Sequence, residues 1–208
     1  MPTEMEDLKR KFNKLCHEIG GTSELDESRN EEFYSYLRCY SAKRFPDPKE
    51  FIDLMKEASD LSEKIPDGAT ITLSFFVQKS ILGRIFETHI SGRAGYYPEE
   101  WGIRRYIIHL GRRAPYEYVG IMPELNKELN DLLERELGRE KGWKHYECHY
   151  RVESVPSSPV LLNCTLAYSE WEKPDLDRIL GIVEKFKEVS EAKPKPFEMI
   201  SGRISLVE

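Results

Sequence analysis

Between Lys79 and Lys127 the chain uses arginine as its only cation. Arg84, Arg93, Arg104, Arg105, Arg112 and Arg113 lie there among Phe86, Tyr96, Tyr97, Trp101, Tyr106, Tyr116 and Tyr118, although lysine outnumbers arginine by 16 to 15 overall. An arginine carries a rigid fork of donors and a flat face that stacks on aromatic rings, whereas lysine is a strongly hydrated point charge. The mixture suits the orientation of phosphate or carboxylate groups. Ser91-Gly92-Arg93-Ala94-Gly95 reads as a small flexible loop that offers successive backbone N–H groups to an anion. Arg93 would add its fork, and Tyr96, Tyr97 or Trp101 would stack on a base or sugar. Neighbouring residues of an extended chain face opposite ways, so Arg104 and Arg105 give one cation between them to a shared site, as do Arg112 and Arg113. The bland alternative is ion pairing with Glu87, Glu99, Glu100 and Glu117. No Walker A loop and no G-x-G-x-x-G pattern occurs in this zone, and no motif names a cofactor.

A second constellation is Trp143-Lys144-His145-Tyr146-Glu147-Cys148-His149-Tyr150-Arg151. Strand alternation puts His145, Glu147, His149 and Arg151 on one face. Such a face could gather a divalent metal or supply an acid–base pair, with His89 or His109 as a further ligand. His145, Glu147 and His149 are then both the catalytic and the metal-binding residues of a hydrolase. The simpler account is the solvated side of an amphipathic strand. No G-x-S-x-G elbow supports a serine nucleophile.

Composition narrows the partners. A net charge of −6 argues against indiscriminate nucleic-acid binding, which is driven by phosphate neutralisation. Residues 81–120 nonetheless hold six Arg against four Glu. A weakly positive zone on an acidic body favours one docked anionic ligand, a nucleotide or a short nucleic acid. No apolar run approaches the roughly 18 residues of a membrane span, so no membrane partner is expected. The acidic amino terminus does not read as a signal peptide, and a cytoplasmic location is the default expectation. The four cysteines, Cys16, Cys39, Cys148 and Cys164, form no C-x-x-C pair and read as buried thiols, with one disulfide as the alternative.

The elements that must position these residues follow from periodicity. Three helices are expected first: one around Met5, Leu8, Phe12 and Ile19; a second after a Ser28/Glu31 capping box, with Phe33, Leu37 and Tyr40 on one face; and a third opened by Asp47-Pro48-Lys49-Glu50. From Ala69 the period becomes two, predicting strands over 69–78, 81–90, 102–110 and 116–121. Pro123 opens a helix; strands over 143–153 and 159–168, a helix from Pro174, a stiff linker at 193–196 and a closing strand over 197–207 complete the chain. The fold class is α+β: a mostly antiparallel sheet of about 6–7 strands packed by helices, preceded by three amino-terminal helices. A helical segment over 1–66 and an α+β unit over 67–208 are expected to form one continuous structure.

Three functions from different classes fit. One is a protein that binds or processes a phosphate-bearing ligand through Arg93, Tyr96, Tyr97, Trp101, Arg104 or Arg105, and Arg112 or Arg113. Another is the metal-dependent hydrolase on His145, Glu147 and His149. The last is an interaction module whose helices within 1–65 pair with another subunit, making a homo-oligomer. Gln78 is the only glutamine against abundant Glu and Lys, the trend of hyperthermophile proteins. A thermal unfolding midpoint above the ordinary range of about 45–65 °C is therefore expected by calorimetry.

Overall fold

Seven strands form one sheet in the order β1-β2-β3-β4-β5-β7-β6. They are β1 (Gly21–Arg29), β2 (Phe33–Ser41), β3 (Ala69–Ile81), β4 (Arg84–Tyr97), β5 (Ile103–Ala114), β6 (Trp143–Val152) and β7 (Val160–Glu170). All neighbours are antiparallel except β2 and β3, which run parallel and are joined through helix α2 (Pro48–Lys64). The other helices are α1 (Pro2–Glu18), α3 (Met122–Leu137) and α4 (Leu180–Glu191). A computed structural model describes residues 2–29, 33–81, 83–153 and 159–191.

Helix α2 forms where its signals predict. The Asp47 side chain accepts from the N–H groups of Lys49 at 2.9 Å and Glu50 at 3.2 Å, and Pro48 occupies the first turn. Both features satisfy donors or remove one that helix starts leave orphaned. Its buried stripe of Phe51, Leu54, Met55 and Ala58 lies over β3 and β4. Phe75 of β3 meets Phe12 of α1 at 4.8 Å between ring centroids and Phe51 at 6.2 Å. A side chain at Gly92 of β4 would collide with Met55, its Cβ lying 2.3 Å from the sulfur. That glycine lets the helix sit close.

All four helices cover the same face. Leu37 and Cys39 of β2, Leu73 and Phe75 of β3, Ile90 and Ala94 of β4, Ile108 and Leu110 of β5, and Leu162 and Leu166 of β7 point into one apolar cluster that runs from Met5 to Val189. Segment 1–66 supplies two of the strands, so its apolar faces are used within the fold. Among the described residues no helix is long and apolar enough to cross a membrane.

Several expectations are corrected. Only α1 precedes the sheet, not three helices. The segment with Phe33, Leu37 and Tyr40 is strand β2, in which Phe33 and Leu37 face the helices and Tyr40 the other way. Ser28 lies in β1, and its proposed capping partner Glu31 lies outside the described residues. Ser91–Gly95 is no loop. It sits inside β4, paired on one side with β3 and on the other with β5, so its N–H groups belong to the sheet rather than to an anion. Residues Tyr116–Ile121 form a 3₁₀ turn instead of a strand. The helix from Pro174 begins as a 3₁₀ turn over Leu176–Ile179 and continues as α4. The linker at 193–196 and the strand over 197–207 lie outside the described residues.

The cysteines are not free. Cys16 of α1 bonds Cys39 of β2, and Cys148 of β6 bonds Cys164 of β7, its direct cross-strand neighbour. Disulfides persist in a reducing cytosol chiefly in hyperthermophiles, so the cytoplasmic and thermophilic expectations now depend on each other. The Cys148–Cys164 bridge closes a short loop, with a sequence separation of 16, and fastens an edge strand. Replacing both residues by serine is expected to lower the unfolding free energy by about 2–5 kcal/mol, measured by urea denaturation. A smaller loss would mean that β6 is held mainly by its packing on α3.

Candidate functional site

The sheet face opposite the helices carries no covering element among the described residues. Strand register lays its side chains out in rows. One row runs Asp26, Tyr36, Thr72, Arg93, Ile107, Ala167 and His145 across the seven strands. The next runs Glu24, Arg38, Ser74, Ser91, His109, Thr165 and Glu147, and a third Thr22, Tyr40, Phe76, His89, Gly111, Asn163 and His149. The arginine zone and the histidine strand therefore share one face.

They do not share one site. With paired strands about 4.8 Å apart, His145 lies three strands and roughly 14 Å from Arg93. Along β6 the rise of about 3.4 Å per residue separates His145 from His149 by roughly 13 Å, beyond the span of one coordination sphere. Glu147 is two strands from His109 and about 10 Å away. Among the described residues no three of His, Cys, Asp or Glu gather as metal ligands would. All three residues of the triplet are exposed.

The arginines divide by face as alternation requires. Arg104 turns toward the helices, pairs with Glu63 of α2 at 2.7 Å and lies 5.4 Å over Tyr96. Arg105 turns outward, pairs with Glu100 and lies 4.9 Å over Tyr97. Arg113 pairs with Glu87, its cross-strand neighbour, at 3.6 Å, and Arg84 with Glu117. Arg112 sits behind the sheet, 4% exposed, with the Phe86 and Tyr118 rings each 5.7 Å from its guanidinium carbon. Burial pushes its pKa down to about 10, which still leaves it charged at neutral pH. Its side chain turns away from the outer face. Trp101, 90% exposed, occupies the β4–β5 turn in a left-handed backbone conformation.

Arg93 is different. It is exposed at the centre of the outer face, and among the described residues it has no carboxylate partner. Its cross-strand neighbours are Thr72 and Ile107. Thr72 is 5% exposed, and its hydroxyl oxygen is buried without a hydrogen bond among the described residues. Beside them Ser74 is wholly buried and donates to the Tyr36 hydroxyl at 3.1 Å. The Arg38 guanidinium carbon lies 4.1 Å over the Tyr36 ring. The outer face thus has a floor of small hydroxyls between tall aromatic and arginine side chains.

In the third row Tyr40, Phe76 and His89 form a continuous stack, with centroids 5.1 and 4.4 Å apart and interplanar angles of 14° and 7°. Burial pushes His89 down to about 4, and repulsion from His109 adds to it. Burial also lowers His109, with the Arg93 charge adding, and its Nδ1 lies 3.2 Å from the Thr165 hydroxyl. Both imidazoles are neutral at pH 7, so the permanent positive charge at the middle of the face is Arg93.

Comparison of the chain with protein-family models, with curated proteins and with solved structures finds no match. Any functional conclusion rests on this geometry. Sequence reasoning missed the β2 contribution of Tyr36, Arg38 and Tyr40. The alternation of Tyr34, Tyr36, Arg38 and Tyr40 with Phe33, Ser35, Leu37 and Cys39 was the signal that could have found it.

The shift of His89 fixes the sign of one pH effect. Its folded-state value of about 4 lies below the ordinary value near 6.5, so the unfolded chain binds the extra proton between them. The stability it contributes is complete above about pH 6.5 and declines as pH falls toward about 4. Unfolding midpoints measured at pH 7 and pH 5 should show this loss, and His89→Phe should reduce it. An equal loss in the variant would assign the effect to other groups.

Proposed function

We propose that the protein binds a short phosphate-bearing ligand with flat rings, a nucleotide or a few nucleotides of single-stranded nucleic acid, on the helix-free face of its sheet. The observation that carries this is Arg93, exposed at the centre of that face and, among the described residues, without a carboxylate partner. A phosphate over that spot would receive the arginine fork in a charge-assisted pair. Tyr36 stands in the same row beyond Thr72, and the Tyr40–Phe76–His89 stack lies two rows along the face. Aromatic side chains on an open sheet beside a cation are how single strands are held without sequence preference.

Glu24, Asp26 and Glu147 on the same face limit the ligand to few phosphates. The salt dependence of binding is therefore expected to be shallow, with a log–log slope near −0.7 to −1.4, equivalent to about one or two phosphates of a single strand. Fluorescence anisotropy with a labelled short oligonucleotide reads this. Arg93→Ala is expected to weaken binding about tenfold or more, and Arg135→Ala on the opposite side to leave it unchanged. Equal affinity in wild type and Arg93→Ala would remove the basis of the proposal.

The metal-dependent hydrolase finds no comparable support, given the spacing of His145, Glu147 and His149. An interaction module has one specific observation in its favour. Trp101, 90% exposed, and Trp171, 64% exposed, lie at the same end of the sheet, because Arg104 pairs with Glu170 across β5 and β7. Exposed tryptophans of this kind anchor protein interfaces. Sedimentation of a double alanine variant tests it: a wild-type oligomer that becomes monomeric supports this reading, and a wild-type monomer removes homo-oligomerisation from it.

A further inference from the structure

The open face contains a groove of about 770 Å³ at the end of the sheet that carries the aromatic stack, within the range of small-molecule sites, roughly 300–1,000 Å³. Tyr40, Phe76 and His89 stand in successive strands β2, β3 and β4, each ring nearly parallel to the next. The next place in the same row belongs to Gly111 of β5, which has no side chain, so the line of rings stops at a depression. Beyond it comes Asn163 of β7. A Cβ placed on Gly111 would come within 3.2 Å of the Asn163 side-chain oxygen and 3.8 Å of the His89 Cβ. Any side chain there would fill the depression between them.

The polar groups around the groove are incompletely used. Among the described residues no hydrogen bond engages the Asn163 amide, which offers one acceptor and two donors. His89 Nε2 is buried without a partner. At the rim Arg113 is held by Glu87 at the loose separation of 3.6 Å, with Glu153 also lining the groove. The His89 ring therefore closes one side of the depression and the Asn163 amide the other, and the rim has a cation that an anionic ligand group can recruit.

We propose that this groove is a subsite for a flat nitrogen heterocycle of the nucleobase type, held over Gly111 beside the His89 end of the stack and read along its edge by Asn163. An asparagine amide presents donor and acceptor at the spacing that pairs bidentately with an adenine edge, and base–aromatic contact supplies sequence-tolerant affinity. A saturated ring of similar size lacks both the π-face and the edge. The proposal rests on the open-face reading for its class of ligand, but its residues are separate from Arg93, which lies four residues and about 13 Å along β4 from His89.

The test uses the full chain and an uncharged probe, adenosine, which has a base and no phosphate. Backbone amide spectra are expected to show saturable shifts at His89, Gly111 and Asn163, with a dissociation constant tighter than about 1 mM. Gly111→Val should weaken binding about tenfold or more, and Asn163→Ala should weaken it several-fold. Asn163→Ala keeps the strand pairing and so covers the case in which the valine disturbs the sheet. Arg93→Ala should leave adenosine binding unchanged. Absence of saturable shifts, shifts confined to another surface, or wild-type affinity in both groove variants would overturn the proposal. If adenosine binds while oligonucleotide affinity ignores Arg93→Ala, the groove stands and the phosphate reading falls. If oligonucleotides depend on Arg93 while adenosine does not bind, the groove falls and the phosphate reading stands.

Discussion

One-sided burial governs this molecule. Strand alternation sends the aliphatic residues of β2, β3, β4, β5 and β7 to one face, and four amphipathic helices are placed there to take them out of water. Antiparallel sheets tolerate this arrangement, because their other face can remain solvated. The close seat of α2 depends on Gly92 yielding its place to Met55. Both disulfides lie on the same side: one ties the end of α1 to β2, the other ties the edge strand β6 to β7. With the apolar residues committed to the helix layer, the outer face is left to tyrosines, arginines, histidines and small hydroxyls.

Charge on that outer face is decided by cross-strand pairing. Arg113 stands opposite Glu87, and Arg105 is met by Glu100 from the adjoining turn. Arg93 stands between Thr72 and Ile107, neither of which can pair with it. The difference is positional, since all three are arginines on the same two strands. Exposed ion pairs contribute little to stability, about 0–1 kcal/mol, so their effect here is to neutralise the flanks. What remains at the centre, among the described residues, is Arg93 without a compensating carboxylate.

The sequence made some of this legible and hid the rest for identifiable reasons. Asp47-Pro48 announced α2, and the alternation from Ala69 to Val77 announced β3, because caps and period two are local signals. Phe33, Leu37 and Tyr40 fall at helical spacing by coincidence, and that coincidence concealed β2 together with Tyr36 and Arg38. Ser91–Gly95 looked like a loop because it is rich in small residues. In the fold those residues lie in the middle of the sheet, with Gly92 under a helix, a tertiary cause that no local signal carries. The cysteine pairings were hidden for the same reason: partners 16 and 23 residues apart meet only through strand register and the return of α1. Arg93 was legible as a cation beside aromatics, but its isolation from carboxylates was not, since that depends on which residues the register sets opposite it.

The hydroxyl floor shows how tightly the centre of the outer face is closed beneath its taller side chains. A threonine on a wet sheet face normally bonds to water, yet Thr72 is sealed and its oxygen lacks a partner among the described residues. Leaving such a group unsatisfied costs about 1–3 kcal/mol, a sizeable fraction of the stability of an ordinary domain, about 5–15 kcal/mol. Replacing Thr72 by valine would remove that cost at nearly the same volume. The same spot holds a guanidinium that no carboxylate among the described residues neutralises, and a carboxylate at position 107 in place of Ile107 would have supplied one. Two unmet demands, for an acceptor and for a negative charge, thus coincide at one register position. The two differ in reach: the hydroxyl oxygen is closed to solvent, whereas the arginine fork stands exposed, so the charge is the demand that is open to the surroundings.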